Sequence, residues 1–151
     1  MKVICRSMLG ILLVTVLLAC ATQVPMGGTA QDDKGRFKVS KEGLVTDSQT
    51  GLMWAPPPNR DVNWNQADEY VKNLKLGGYS DWRLPKLSEL KSLSKQKTAL
   101  KALHFSKWAW TSDMQPALAS AWLVNLDNGS EFTDNLVDSR SNRVLPVRVQ
   151  Q

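Results

Sequence analysis

The chain has 151 residues, 42% of them hydrophobic, and a formal net charge of +5 at pH 7. This length fits one ordinary domain and excludes large multidomain machinery, and the hydrophobic content excludes a disordered chain. Both cysteines, Cys5 and Cys20, lie within the first 20 positions, so the rest of the chain can hold neither an intramolecular disulfide nor a thiol nucleophile.

The first 19 residues have the organisation of a signal peptide. Lys2 and Arg6 precede an apolar run, Met8–Ala19, which is shorter than the roughly 20 residues needed to span a bilayer. The run ends in Leu-Leu-Ala-Cys, which resembles the lipobox of bacterial lipoproteins. That resemblance implies cleavage before Cys20 and attachment of diacylglycerol, with palmitate-type acyl chains, to its sulfur. The alternative is a secreted protein with a chance cysteine at the cleavage point.

Ala21 bears on the location of such a lipoprotein. Sorting patterns indicate the outer membrane when this position is not Asp, so we expect a lipid-anchored protein there, on the periplasmic face or the cell surface. Residues 20–35 are rich in Gly, Thr, Gln and Asp without periodicity, which predicts a flexible tether before a domain at 36–151. Loss of the leader would lower the net charge from +5 to +3.

The body begins with β-prone segments. Residues 37–40 alternate apolar and polar side chains, as a half-buried strand does. Residues 44–46 and 52–54 flank a loop that ends in Gly51, which predicts a hairpin with this glycine at positive φ. Three prolines at 56–58 then end the second strand.

Two main helices are predicted next. Asn63 is expected to cap the first, and Gly77-Gly78 is expected to end it. The inward residues at helical spacing are Trp64, Ala67, Tyr70, Val71 and Leu74 in the first helix, and Leu87, Leu90 and Leu93 or Ser94 in the second. Residues 97–106 predict a further short helix or turn.

From Trp108 onward the pattern is again that of β structure. Residues 121–126 and a segment near 131–133 flank Asp-Asn-Gly at 127–129, a strong hairpin turn. Residues 144–149 predict a terminal strand, at an edge or with a bulge because it contains a proline. This order of strands, helices and strands predicts an α+β fold with a mainly antiparallel sheet.

The most specific segment is Gly-Gly-Tyr-Ser-Asp-Trp-Arg-Leu-Pro at 77–85, followed by Glu89-Leu90. The chain around it resembles the Lcl C-terminal domain family, named after a bacterial collagen-like adhesin. The other matching elements are Val-Thr-Asp at 45–47, Thr-Gly-Leu-Met-Trp at 50–54, Trp64 with Ala67 and Tyr70, Trp-Thr-Ser at 110–112, and Val147-Arg148. The resemblance covers about 37–149 and implies a C-type-lectin-like fold. The family's namesake also implies adhesion and glycosaminoglycan binding, although this chain has no collagen-like region.

One residue departs from the family pattern. Lys86 stands where the family often has Thr, and a lysine side chain cannot accept a backbone N–H. We therefore expect weaker capping at the start of the second helix.

Two activities are known among relatives of this fold, and each requires particular residues that can be looked for in this sequence. Formylglycine generation depends on cysteines in the body, which has none beyond Cys20. Calcium-dependent sugar binding uses Glu-Pro-Asn or Gln-Pro-Asp followed by Trp-Asn-Asp, whereas this chain has Gln-Pro-Ala at 115–117 and Trp-Leu-Val at 122–124. No cofactor and no metal are therefore expected, although a looser calcium site built from Asp113, Asp134 or Asp138 stays open.

His104 is the only histidine. We interpret it as a partly buried structural side chain, because its neighbours are Leu103 and Phe105, rather than as a triad member with Ser106 or Ser112. Without a second histidine or a Gly-rich phosphate loop, the chain is expected not to be an enzyme. A divergent hydrolase with paired carboxylates is a lesser alternative.

The tryptophans are mostly expected in the core. Trp54, Trp64 and Trp82 occupy family positions at strand or helix spacing, and Trp110 does the same. Trp108 lies two positions before Trp110, so both would point to one side of a strand. Trp108 is the one candidate for an exposed ring that stacks on a sugar.

Charge is distributed unevenly along the body. Seven basic residues and one acid lie between Arg83 and Lys107, whereas 108–139 carry five acids and no base. Lysines recur at i, i+4 spacing, at positions 91 and 95 and again at 97 and 101. One interpretation is a solubilising surface, and the other is a docking patch for an anionic polymer. The candidate ligand-binding residues are Lys91, Lys95, Lys97, Lys101, Lys107 and Trp108.

The sequence thus predicts a cell-envelope lipoprotein with a non-catalytic domain that binds an anionic glycan or a protein. The alternative is a structural subunit of an envelope assembly, with its lysine face against a partner. Nucleic acid is not expected as a partner, because the chain carries an export signal and its body is close to neutral.

Overall fold

The computed structural model describes residues 35–138 and 142–150. In chain order the strands are β1 (Phe37–Val39), β2 (Val45–Asp47), β3 (Leu52–Trp54), β4 (Trp108–Gln115), β5 (Ser120–Asn125), β6 (Glu131–Asn135) and β7 (Val147–Val149). The helices are α1 (Trp64–Asn73), α2 (Leu87–Leu93) and α3 (Lys97–Leu103), with a 3-10 helix at Pro116–Leu118. Every pairing between these strands is antiparallel, so the predicted α+β class is confirmed, with three helices.

The first sheet has the strand order β1-β2-β3-β7. The predicted β2–β3 hairpin is present and pairs Val45 with Trp54. Gly51 closes its turn at φ 68°, a left-handed conformation that glycine adopts without steric cost. The terminal strand is shorter than the predicted 144–149, because it starts only after Pro146, which has no N–H to donate. It lies at an edge of the sheet, as the proline indicated.

The start of α1 follows the sequence prediction. The side-chain oxygen of Asn63 accepts the N–H of Gln66 at 2.9 Å, and the Gln66 side chain accepts the N–H of Asn63 at 3.1 Å. These two reciprocal bonds form a capping box. Ala67 and Val71 face the core and are buried.

The end of α1 differs from the prediction. The helix stops at Asn73, because Leu74 turns to an extended conformation, before the Gly77-Gly78 pair is reached. The two glycines instead form a turn in which the backbones of Leu76 and Tyr79 exchange hydrogen bonds of 3.1 Å. The glycines therefore shape a connection after the helix and do not terminate it.

The second sheet has the strand order β4-β5-β6. Its β5–β6 hairpin turns at Asp127-Asn128-Gly129, as predicted, with Gly129 at φ 77°. The N–H of Gly129 donates to the carbonyl of Asn125 at 2.7 Å and closes the turn.

The two faces of this second sheet carry separate hydrophobic cores. Ala109 pairs with Val124, and both belong to a core that also includes residues of α2, α3 and the first sheet. Trp110 pairs with Leu123 on the other face, where the core includes α1 and Trp82. The sheet is therefore covered on both sides, which places α2 and α3 opposite α1.

The predicted signal peptide (1–19), Cys20 and nearly all of the predicted tether (20–35) lie outside the described residues. Within the described part of the chain, the helices are too short and too polar for any of them to cross a bilayer.

Candidate functional site

Four of the predicted ligand-binding lysines lie along α2, α3 and the turn between them. Lys91 is on α2, Lys95 is in the turn, and Lys97 and Lys101 are on α3. All four residues are exposed, and we call them the lysine surface. The expected pairing on one helix face holds for Lys97 and Lys101. It is wrong for Lys91 and Lys95, because α2 ends at Leu93.

Two of these lysines bind the β5–β6 hairpin. Nζ of Lys91 lies 2.8 Å from a carboxylate oxygen of Glu131, and Nζ of Lys97 donates to the carbonyl of Asp127 at 2.9 Å. The Lys91 pair is exposed and contributes about 0–1 kcal/mol. Lys95 and Lys101 form no ion pair within the described part of the chain. A ligand could therefore bind these two charges without displacing an internal ion pair.

Trp108 lies on the other face of the second sheet. It packs beside the core that contains Trp110, as their shared side of β4 predicted. Its ring meets that of Phe132 edge to face, with the ring centroids 6.4 Å apart. The helices that carry the lysine surface pack on the opposite face, beside Ala109. The structure therefore does not bring Trp108 and the lysine surface together.

Lys107 is held in an unusual backbone conformation just before β4. Its φ is 115°, in the left-handed region that non-glycine residues rarely adopt. Its carbonyl accepts the N–H of Leu126 at 3.0 Å, which ties this position to the end of β5, while the residue stays exposed.

The arginine and the glutamate of the most specific sequence segment bind each other. Nη1 and Nη2 of Arg83 donate to the two carboxylate oxygens of Glu89 at 2.9 and 2.7 Å, and the N–H of Lys86 adds a bond of 2.8 Å. Burial alone would raise the pKa of Glu89, but the hydrogen bonds from Arg83 and Lys86 outweigh it and hold that pKa below its ordinary value. The pair fixes the start of α2, so its role is structural.

Tyr79 and Asp81, which belong to the same Gly-Gly-Tyr-Ser-Asp-Trp-Arg-Leu-Pro segment, bind Arg148 of β7. Nε and Nη2 of Arg148 donate to the two carboxylate oxygens of Asp81 at 2.7 and 3.1 Å, and its guanidinium carbon lies 3.8 Å from the ring centroid of Tyr79. The hydrogen bond from Arg148 keeps the pKa of Asp81 below its ordinary value. These contacts join the loop after α1 to the first sheet.

The tryptophans predicted to be in the core are there. Trp54, Trp82 and Trp110 are buried, and Trp64 packs partly buried against the same core as Trp110. Nε1 of Trp64 donates to the carbonyl of Thr111 at 2.8 Å. These four rings are therefore packing residues, although Trp54 also lines a pocket that is described below.

The prediction that His104 is partly buried is wrong. The residue is exposed and ends α3 in a left-handed conformation with φ 49°. A residue that leaves a helix in this way lies at the surface, which the apolar neighbours Leu103 and Phe105 did not reveal.

Two of the three aspartates considered for a calcium site, Asp113 and Asp134, bind other groups, and Asp138 is exposed. The carboxylate of Asp113 accepts the N–H of Leu87 at 2.6 Å, and that of Asp134 accepts the side-chain amide of Asn142 at 3.2 Å. Asp113 is on β4 and Asp134 on β6, with β5 between them, so they are about 9–10 Å apart across the sheet. Among the described residues, no three His, Cys, Asp or Glu side chains are grouped to hold a metal ion.

The sequence did not reveal a pocket between the β2–β3 hairpin and α2, which we call the hairpin–α2 pocket. Its volume is about 280 Å³. It is lined by Arg36, Asp47, Thr50, Leu52, Trp54, Ser88, Glu89, Ser92, Leu93 and Gln96. The Ser88 and Ser92 spacing of i, i+4, on a helix whose leucines face inward, is the signal that could have indicated it.

A bidentate ion pair forms one wall of this pocket. Nε and Nη2 of Arg36 each lie 2.7 Å from a carboxylate oxygen of Asp47, which also accepts from the Thr50 hydroxyl at 2.8 Å and the Gln49 N–H at 2.9 Å. Burial raises the pKa of Asp47, but these hydrogen bonds outweigh it and hold the pKa below its ordinary value. Asp47 is therefore ionised and fully engaged at neutral pH.

A comparison with protein families matches residues 43–148, more than two thirds of the chain, to the Lcl C-terminal domain. No curated protein matches the chain. The matched range includes the lysine surface, the Gly-Gly-Tyr-Ser-Asp-Trp-Arg-Leu-Pro segment and its partner Arg148. The chain therefore belongs to the Lcl C-terminal domain family.

Proposed function

We propose that this protein is a cell-envelope lipoprotein whose Lcl C-terminal domain binds an anionic glycan and has no catalytic activity. The observation that carries the proposal is the lysine surface, four exposed cations on adjacent elements, of which only Lys91 forms an ion pair within the described ranges and two, Lys95 and Lys101, have no partner there. Such a surface attracts a polymer that carries repeated negative charges, because several weak contacts act together.

The geometry of this surface suits an extended polyanion rather than a small anion. Lys97 and Lys101 lie one helical turn apart on α3, about 6 Å along its axis, and Lys95 adds a charge just before that helix. A small anion would need convergent donors in a recess. Sulfate or carboxylate groups spaced along a chain could instead meet these lysines in succession.

The distribution of the acidic residues supports a binding role over a hydrolytic one. A hydrolase of the paired-carboxylate kind, such as most glycoside hydrolases, needs two carboxylates that face each other across a cleft. Asp113 binds the start of α2, Asp134 binds Asn142, and a strand separates them. Asp47 and Glu89 both lie in the hairpin–α2 pocket, but each is held by an arginine and has its pKa lowered, which suits neither a general acid nor a general base at neutral pH.

The membrane anchor is part of the proposal. The lipobox-like residues 17–20 support lipidation of Cys20 and retention at the outer membrane. Metabolic labelling with a fatty-acid analogue should label the wild-type chain and leave Cys20→Ala unlabelled and differently processed. An unlabelled wild type that is processed like Cys20→Ala would contradict the anchor while leaving the glycan proposal untouched.

Heparin chromatography of the full-length chain in detergent tests glycan binding. We expect the heparin column to retain the wild type. This retention should weaken as the salt concentration of the buffer rises, because salt screens exposed charges. The double variant Lys95→Glu/Lys101→Glu should lose roughly tenfold or more in affinity, since a lysine near an anionic surface contributes about 1 kcal/mol.

The matched control reverses two exposed lysines that do not belong to this surface, Lys41→Glu and Lys75→Glu, and so changes the net charge by the same amount. Retention should survive in this control. Equal losses in both double variants would mean that net charge alone governs retention, and the proposal would fail. Stoichiometric copurification of a protein from cells, without heparin retention, would favour the structural-subunit alternative.

A further inference from the structure

The hairpin–α2 pocket combines an apolar floor with polar groups at its rim. Leu52, Trp54 and Leu93 form the floor and belong to the buried core. Ser88 and Ser92 are exposed on α2, one turn apart, beside that floor. A recess of this kind buries one face of a ligand and offers hydrogen bonds to its edge.

Three neutral polar groups of the rim have no partner within the described part of the chain. They are the hydroxyls of Ser88 and Ser92 and the side-chain amide of Gln96. Each can both donate and accept hydrogen bonds, as the hydroxyl groups of a sugar can.

Each charged side chain that lines the pocket is neutralised by an ion pair. Arg36 binds Asp47 through two bonds of 2.7 Å, and Glu89 is bound by Arg83. An ionised ligand would lose hydration on entry and find no unpaired opposite charge in return. A neutral ligand avoids this cost.

We propose that the hairpin–α2 pocket binds one neutral pyranose ring. A pyranose has an apolar face of C–H groups for the floor and hydroxyls around its edge for the two serines and Gln96. The volume of about 280 Å³ lies at the small end of ligand clefts, which typically measure about 300–1,000 Å³, and so admits a single ring rather than a chain. None of the four lysines of the lysine surface lines this pocket.

Saturation-transfer NMR on the full-length chain tests the proposal. The protein is kept in a phosphocholine detergent, since sugar-based detergents would compete. The probes are the methyl glycosides of glucose, galactose and N-acetylglucosamine, with glucuronate and glucosamine as charged counterparts. We expect saturation transfer to at least one neutral glycoside. That signal should fall at least fivefold in Ser92→Phe, which fills the mouth of the pocket, and in Ser88→Ala/Ser92→Ala, which removes two hydroxyls.

The control variant is Ser106→Phe, which places the same ring at an exposed serine outside the pocket and should bind like the wild type. Near-ultraviolet circular dichroism of the tryptophans checks that each variant is folded. No transfer to any neutral glycoside, transfer only to a charged sugar, or transfer unchanged in Ser92→Phe would each overturn the proposal. Heparin retention should be the same in Ser92→Phe and wild type, so failure of this site is distinguishable from failure of the lysine surface.

Discussion

Two buried tryptophans differ in the surroundings of a single atom. Nε1 of Trp110 donates to the carbonyl of Val62 at 2.9 Å, whereas Nε1 of Trp82 is buried with no partner in the described residues. A buried donor without an acceptor costs free energy. Trp82 therefore stabilises the core through its ring alone, while Trp110 contributes its ring and a hydrogen bond.

Replacement of each tryptophan by phenylalanine should separate these contributions. Trp110→Phe removes the bond and leaves the Val62 carbonyl without its donor, whereas Trp82→Phe removes a donor that has no partner. We expect the free energy of unfolding to fall by about 1–3 kcal/mol more in Trp110→Phe. Urea denaturation followed by far-ultraviolet circular dichroism measures the difference, and equal losses would contradict the assignment.

At the scale of one element, α2 starts without a side-chain cap from its own N-cap residue. Lys86 has no acceptor, as the sequence indicated, but the structure compensates from elsewhere. The carboxylate of Asp113 accepts the N–H of Leu87 at 2.6 Å, and Glu89 accepts that of Lys86 at 2.8 Å. A strand distant in sequence thus provides the helix cap.

A double-mutant cycle should show whether Asp113 takes over the capping role that the N-cap residue Lys86 does not perform. Asp113→Ala should lower the free energy of unfolding by about 1 kcal/mol, the usual value of a lost cap. Lys86→Thr introduces an acceptor for the N–H of Glu89, so Asp113→Ala should cost less in that background. Thermal unfolding of the four proteins gives the coupling, and strictly additive effects would show that Asp113 does not act as a cap.

Three carboxylates make the stability of the whole molecule depend on pH. The pKa values of Asp47 and Glu89 lie below their ordinary values of 3.8 and 4.5 because of their arginine partners, and that of Asp81 is lowered by Arg148. A lowered folded-state pKa means that the stabilisation is complete above the ordinary value and is lost as pH falls through the folded one. Unfolding should therefore become easier with acid, beginning below about pH 5.

The contribution of the two arginine-held pocket carboxylates can be isolated. Asp47→Asn and Glu89→Gln should each be less stable than wild type at pH 7 and lose less further stability between pH 5 and pH 2. Chemical denaturation across this pH range gives the slopes. Slopes identical to wild type in both variants would contradict the role of these ion pairs.

Local signals in the sequence predicted much of the fold. The Asn63 cap, the Gly51 and Gly129 turns and the inward positions of Ala67 and Val71 on α1 are fixed by neighbours a few positions away, and these were predicted correctly. The end of α1 and the exposure of His104 were predicted wrongly, because both depend on the backbone conformation with which the chain leaves each helix.

The partners of the site residues could be predicted far less well. Arg83, Glu89 and Arg148 stood out in the sequence, but no spacing shows that one arginine binds Glu89 and the other Asp81. The side of the sheet that Trp108 occupies relative to the lysine surface likewise depends on which face each helix covers. The hairpin–α2 pocket combines residues from three separate segments, so only the folded chain brings it together.

The pairing of β3 with β7 has a consequence for the order of folding. Trp54 meets Val147, roughly 90 positions later, and this contact joins the first sheet to residues synthesised last among those described. Until β7 emerges from the ribosome, β3 lacks one neighbour and Arg148 cannot bind Asp81. The first sheet therefore lacks its β7 edge until residues 147–149 have been synthesised. For the export that we propose, this delay would be an advantage, because a secretion channel accepts a chain that has not yet folded.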